Sequence, residues 1–279
     1  MKIKIITDST ADLTPEILED YEIDVLPLSV NFEDRSYVDG VEISSSEFYE
    51  KMRTSKKLPT TSQVPMQVFA EAFERNLPHY DHIVGIFLSS VLSGSFQTGV
   101  LMSQKTEKGR IHLIDSGQVT LSLGLLVLEA AKKNAQQPDI GELLDYIDDL
   151  VSRVRLRAIV GSLDNLRKGG RLSAASAILG AALGVKPIIH TKEGLVDVIH
   201  KARGEKNALK WLLEDFMQHA DLSHGVVVGH SACPEKGALL REEIHGKSGL
   251  FADILTQLGA VVGTHAGEGC FGLSYIAKK

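Results

Sequence analysis

The chain has 279 residues, 43% of them hydrophobic and 24% charged, which is the composition of a globular chain of one large domain or two ordinary ones. Its net charge of −6 and single Trp argue against a nucleic-acid binder, and its two cysteines exclude a disulfide scaffold and a four-cysteine zinc site. No apolar run reaches the roughly 20 residues of a membrane span, and the Met1-Lys2-Ile3-Lys4 start lacks the long apolar region of a signal peptide, so the expected location is cytoplasmic.

Short apolar runs alternate with amphipathic stretches. Residues 3–7 read as a strand, 14–21 as a helix with Pro15 in its first turn, 23–32 as a second strand and 46–54 as a helix. A polar stretch without periodicity covers 55–65. Then come a helix at 67–76, a strand at 82–88, a helix at 95–105, a strand at 110–114 and two longer helices at 121–135 and 139–155. This strand-then-helix order predicts an α/β domain with a mainly parallel sheet. A second α/β region follows, and the boundary falls near residue 152, giving domains at 1–152 and 153–279. Its expected elements are a strand at 158–162, a turn at Lys168-Gly169-Gly170-Arg171 and a small-residue helix at 173–183. A hairpin at 186–190 and 196–201 turns at Lys192-Glu193-Gly194. A helix at 206–220, a strand at 225–229, a helix at 235–245 and strands at 260–264 and 271–276 complete the chain.

Several strands of the first half end in hydroxyl residues: Thr7-Asp8-Ser9-Thr10, Ser89-Ser90 leading to Ser93-Gly94-Ser95, and Asp115-Ser116-Gly117. The polar stretch adds Thr60-Thr61-Ser62. Ligands of a parallel sheet bind outside the carboxyl ends of the strands, so these hydroxyls are expected at one rim. The helix start after Ser93-Gly94-Ser95 adds free N–H groups, and together they suit a small anion such as a carboxylate or phosphate. Each hydroxyl taken singly is also an ordinary cap or turn residue. Asp8 and Asp115 are candidate general bases or metal ligands, and equally turn residues. His265, within Gly263-Thr264-His265-Ala266-Gly267-Glu268-Gly269, is placed to donate to an anion or to titrate near neutral pH. The other nine histidines show no two-plus-two spacing that fits zinc. Arg171 and Arg203 stand beside glycines, a setting that suits carboxylate or phosphate recognition. No Walker loop and no G-x-S-x-G elbow is present, and no G-x-G-x-x-G follows the first strand. Cys233 and Cys270 read as buried small hydrophobes.

These motifs, taken in order over nearly the whole chain, resemble the DegV family of bacterial fatty-acid-binding proteins, which serve as the B subunit of fatty acid kinase. The opening Ile6-Thr7-Asp8-Ser9-Thr10-Ala11-Asp12-Leu13, the loop Thr60-Thr61-Ser62-Gln63 and the segment Leu88-Ser89-Ser90-Val91-Leu92-Ser93-Gly94-Ser95 are each similar to a family motif. Ile114-Asp115-Ser116, Lys168-Gly169-Gly170-Arg171-Leu172-Ser173, Val185-Lys186-Pro187-Ile188, Arg203-Gly204 and Gly263-Thr264-His265 follow in the same order. Departures are Val64 for the family's Pro, Ser95 for its Thr, and Ala266-Gly267-Glu268 where the family has Thr-Gly-Pro.

The resemblance implies two α/β domains with a tunnel between them that holds one long-chain fatty acid. It places the carboxylate at Thr61 and Ser93, with Ser62 and His265 nearby. A separate ATP-dependent kinase subunit would phosphorylate that carboxylate to an acyl phosphate for phospholipid synthesis. Arg171 and Arg203 would then serve the tunnel mouth or the kinase contact. No cofactor, metal, nucleic-acid partner, stable membrane insertion or catalysis by this chain itself is implied. The competing expectation is an enzyme acting on a small phosphorylated or carboxylated metabolite with Ser93 or His265 catalytic. A long apolar tunnel favours the lipid and a compact polar cleft favours the enzyme.

Overall fold

The structure, a computed structural model, describes residues 1–106, 109–178 and 184–279. The first half contains β1 (Ile3–Asp8), α1 (Pro15–Asp20), β2 (Asp24–Leu26), β3 (Ser29–Asn31), β4 (Ser36–Val38), α2 (Ser45–Thr54), β5 (Thr60–Ser62), α3 (Met66–Asn76), β6 (His82–Phe87), α4 (Ser95–Ser103), β7 (Ile111–Asp115), α5 (Leu121–Asn134) and α6 (Ile140–Arg153). The second contains β8 (Val154–Ile159), α7 (Asp164–Lys168), α8 (Ala174–Ala177), β9 (Val185–Lys192), β10 (Leu195–Arg203), α9 (Glu205–His219), β11 (Val226–His230), α10 (Pro234–Ser248), β12 (Ile254–Gln257), α11 (Ala260–Ala266) and β13 (Phe271–Ile276).

Strands β2-β1-β6-β7 form the expected parallel sheet, in that order. Every residue of β1 is buried, as a parallel strand covered on both faces requires. A small antiparallel sheet, β4-β3-β5, lies beside it, and a six-stranded sheet, β10-β9-β8-β13-β11-β12, is built wholly from the second half. In the β9–β10 hairpin Glu193 and Gly194 both have positive φ, 51° and 79°, as a two-residue turn matched to strand twist needs.

Helix α5 joins the halves. It is buried without a break from Leu121 to Ala131 and mostly apolar there, Ser122 and Glu129 apart, the pattern of a helix with protein all round it. Leu123, Val127 and Ala130 enter the core of the parallel sheet. Leu121, Leu125 and Leu128 enter a second core with Leu156, Val227 and Ile276.

The structure corrects the expected elements at several places: β4 and α7 were not expected, and the strand expected at 158–162 is β8, at Val154–Ile159. Residues 23–32 are not one strand: the chain breaks at Pro27 and β2 and β3 join different sheets. The polar stretch 55–65 carries a strand, β5. Residues 260–264 are helical and belong to α11. The four-residue strand β12 was not expected and forms against β11. Of the expected helix 173–183 the described part is α8, capped by Ser173, and residues 179–183 lie outside the described residues. Among the described residues no helix is long and apolar enough to cross a membrane.

Candidate functional site

A cavity of about 380 Å³ has walls from both halves of the chain, within the roughly 300–1,000 Å³ of ordinary ligand pockets. Leu28, Leu88, Leu92 and Leu121 contribute from the first half, and Leu156, Ile189, Val196, Val261 and Cys270 from the second. Polar groups concentrate at Thr61, Ser62, Gln63, Ser93, Arg171 and His265. Arg171 is the one permanent charge among the described lining residues, and no carboxylate is among them.

Thr61 is the middle residue of β5 and pairs with Val30 across the small sheet. Side chains alternate along a strand, so Thr61 and its neighbours face opposite ways. The Thr61 hydroxyl lies 3.0 Å from His265 Nε2, whereas the Ser62 hydroxyl accepts from Asn31 Nδ2 at 2.9 Å. Ser93 precedes α4, and its hydroxyl lies 3.1 Å from that of Ser95. Ser95 Oγ accepts the Val64 N–H at 3.1 Å, a donor that a proline at that position would lack.

His265 sits in the last turn of α11, not at a strand end. Its neighbour Thr264 bonds back to the Ala260 carbonyl at 2.9 Å. Burial, and secondarily the charge of Arg171, push its pKa down to about 4. The ring is therefore neutral at physiological pH and does not titrate near pH 7, against the sequence expectation. Its Nδ1 is buried and has no hydrogen-bond partner among the described residues.

A Cβ at residue 169 would come within 2.3 Å of His265 Nδ1, so Gly169 makes room for the ring. Gly170 has φ +72°, a conformation that costs glycine little. The turn delivers Arg171 to the cavity, where its Nε donates to the Leu92 carbonyl at 3.1 Å and its NH1 group to the Gly169 carbonyl.

The structure thus brings together Thr61, Ser62, Ser93, Arg171 and His265 from four separated segments. Arg203 is not with them: it ends β10, is exposed and does not line the cavity. The remaining strand-end hydroxyls serve the fold. Thr7 and Ser116 donate to the Ile86 and Phe87 carbonyls at 2.8 and 2.7 Å. Ser89 donates to the Gly194 carbonyl at 2.8 Å. Asp115 accepts the N–H groups of Ser90 and Gly117, so it closes a turn. Glu268 points away from the cavity to Arg53, at 2.7 Å. Thr10, one of the strand-end hydroxyls, does line the cavity, while Thr120 does so without having been singled out in the sequence and Gln63 was quoted only as part of its loop. Gln63 was recoverable from its place in the loop. Cys233 and Cys270 are buried, with thiols pushed up by burial to about 11 and about 12. Among the described residues no group of three or more His, Cys, Asp or Glu is placed to hold a metal ion.

Fold and cavity define a class: a two-lobed α/β protein with an internal pocket, polar at one cluster of residues and mostly apolar elsewhere. Residues 2–278 match the family described as "Uncharacterised protein, DegV family COG1307". The chain is similar to a DegV domain-containing protein of Caldanaerobacter subterraneus subsp. tengcongensis, 35% identical over 280 residues and 99% of each chain. It is also similar to a solved DegV family protein from Thermus thermophilus described by its fatty acid binding, with a TM-score of 0.90 at 32% identity over 100% of both chains. A stearic acid-binding protein from Eubacterium ventriosum matches with a TM-score of 0.86 at 26% identity, over 99% of this chain and 98% of the other. The chain belongs to the DegV family.

Proposed function

We propose that this protein binds one long-chain fatty acid, with the carboxylate at Thr61, Ser93 and Arg171, beside Ser62 and His265, and the acyl chain along the apolar walls. The observation that carries this reading is the sorting of the cavity: one cation and the hydroxyls of Thr61, Ser62 and Ser93 at one cluster, mostly aliphatic side chains elsewhere with the Thr10 and Thr120 hydroxyls turned to Asp8 and Asp12, and no described carboxylate in the wall. The fatty-acid-binding relatives support it. A neutral His265 whose Nε2 holds the proton donates to Thr61 Oγ1 and leaves the threonine hydroxyl free to donate to the ligand. Each buried methylene contributes about 0.8 kcal/mol, so a 16-carbon tail contributes roughly 10 kcal/mol before ordering costs. Affinity therefore comes from the tail and orientation from the polar cluster.

The finer reading is that the chain is a cytoplasmic carrier, divided at residues 152/153, and that a separate ATP-dependent kinase subunit phosphorylates the bound carboxylate to an acyl phosphate for phospholipid synthesis. Arg203, exposed and outside the cavity, is then the candidate for the kinase contact, and Arg171 for the carboxylate end. The test is solvent extraction of the purified protein with mass spectrometry, followed by incubation with that subunit and ATP. The expected result is about one fatty acid per chain, phosphorylated in the wild type. Arg203→Glu is expected to keep its lipid and lose the phosphorylation. An empty protein that also fails to take up palmitate overturns the lipid reading, and an unaffected Arg203→Glu removes the assigned contact.

A further inference from the structure

Three buried aspartates converge behind the cavity wall. Asp8 accepts the Thr10 N–H and hydroxyl at 2.9 and 2.6 Å and the Leu88 N–H at 2.8 Å. Asp12 accepts the Thr120 hydroxyl at 2.6 Å and the Gly259 N–H at 2.8 Å. Asp39 accepts the Ser9 hydroxyl at 2.9 Å and the Ala260 N–H at 3.0 Å. The partners are not arbitrary surface groups. Thr10, Leu88 and Thr120 line the cavity, and Gly259 and Ala260 lie between two further lining residues, Leu258 and Val261.

Two backbone observations point the same way. A Cβ at residue 259 would lie 3.0 Å from Asp12 Oδ1 and 3.3 Å from Asp39 Oδ1, so glycine lets both carboxyl groups reach one helix start. Asp12 and Thr120, bonded to each other, both hold positive φ, 49° and 53°. Such conformations persist where the surroundings over-determine them. The free N–H groups at the start of α11 are satisfied by side chains that stand more than 200 positions away in sequence.

We propose that Asp12 and Asp39 are positioning residues for the ligand pocket. They fix the first turn of α11 against the first half and the start of α5, and so set where His265 stands relative to Thr61. The proposal rests on the fatty-acid reading of the cavity and adds the residues that hold its wall in place.

The test measures binding of a fluorescent polyene fatty acid to lipid-free protein, together with the imidazole ¹⁵N resonances of His265. Asp12→Ala and Asp39→Ala are expected to weaken binding at least tenfold and to shift the His265 signals. Asp12→Asn and Asp39→Asn keep an acceptor oxygen for the helix start and are expected to bind within threefold of wild type. Ile244→Val, a change in the core far from the pocket, is the control: it lowers the melting temperature and leaves affinity and His265 signals in place. Alanine variants that melt lower but keep wild-type affinity and His265 signals overturn the proposal, as do asparagine variants no better than alanine. Where an alanine variant does not fold, Gly259→Ala replaces it, with the same two outcomes, because its Cβ presses on both carboxyl groups. The His265 signals need no ligand. A wild type that takes up no fatty acid therefore sinks the functional reading, while these signals still judge the positioning role.

Discussion

The polar cluster of the cavity and the aspartate group behind its wall sit on two sides of the same few residues, yet they are built from opposite kinds of ionisable group. The cavity side has one arginine, a neutral histidine and hydroxyls, with no described carboxylate. The other side has three carboxyl groups, and the charges bearing on Asp12 are those of Asp39 and Asp8. Burial dominates on both sides and acts in opposite directions. It pushes His265 down to about 4, Asp8 up to about 6 and Asp12 up to about 8. Desolvation disfavours whichever form is charged. An incoming anion thus meets neutral donors and one cation, while the acids spend their oxygens on backbone N–H and hydroxyl groups.

The largest expected effect comes from breaking that separation. Ser93→Asp places a carboxylate where the ligand's own carboxylate is to sit. Two like charges about 4 Å apart repel by roughly 4 kcal/mol at an effective dielectric of about 20, close to a thousandfold in affinity. Extracted lipid is expected to fall below about a tenth of an equivalent per chain, and an unchanged lipid content would move the carboxylate site elsewhere. Next in size is the tail. Palmitate exceeds laurate by four methylenes, so it is expected to bind tighter by about 3 kcal/mol, on the order of a hundredfold, in a competition assay. Equal affinities would mean that the apolar wall does not hold the chain.

The smallest effect separates the two groups by pH. Asp12 has a folded pKa above its unfolded one, so its stabilising contribution is full below about pH 4 and is lost as pH rises toward 8. His265 has a folded pKa below its unfolded one, so its contribution is present above about pH 6.5 and is lost as pH falls toward 4. Between pH 6.5 and 8 the histidine is silent. Over that window Asp12, with Asp8 and Asp39 nearby and Tyr49 facing it from α2, is expected to lower the unfolding free energy by about 2 kcal/mol. Denaturant titrations of Asp12→Asn, which keeps the acceptor and tolerates the left-handed backbone, are expected to be flat there. A wild-type curve without the decline would place the charge on another group.

The sequence was most legible where one segment decides its own state. Most strands and helices of the parallel-sheet half, the long helix α5 and the hairpin turn at Glu193-Gly194 are local patterns, and they form close to where they are read. Thr61, Ser93 and Arg171 were legible as residue types beside turns or helix starts. The misreadings occur where a distant partner decides. Ala260-Val261-Val262-Gly263-Thr264 has the β-branched content of a strand, but its first N–H groups are taken by Asp12 and Asp39 and it becomes a helix. β12 exists because β11 offers it an edge. Pro27, by contrast, was a visible reason to break the run 23–32, since proline cannot donate to a sheet ladder. The role of Asp12 had no local signal: its acceptor geometry is defined only once residue 259 arrives.

The hydrogen bond between residues 12 and 259 spans 247 positions, and this has a consequence for biosynthesis. Chains emerge from the ribosome N-terminus first, at roughly 5–20 residues per second. The parallel sheet and α5 are therefore out many seconds before the helix that closes the pocket. Until then the leucines that are to line the cavity have no opposite wall. A chain that stops short of residue 258 lacks part of the wall that Leu258, Val261 and Cys270 supply and leaves the first-half leucines open to water.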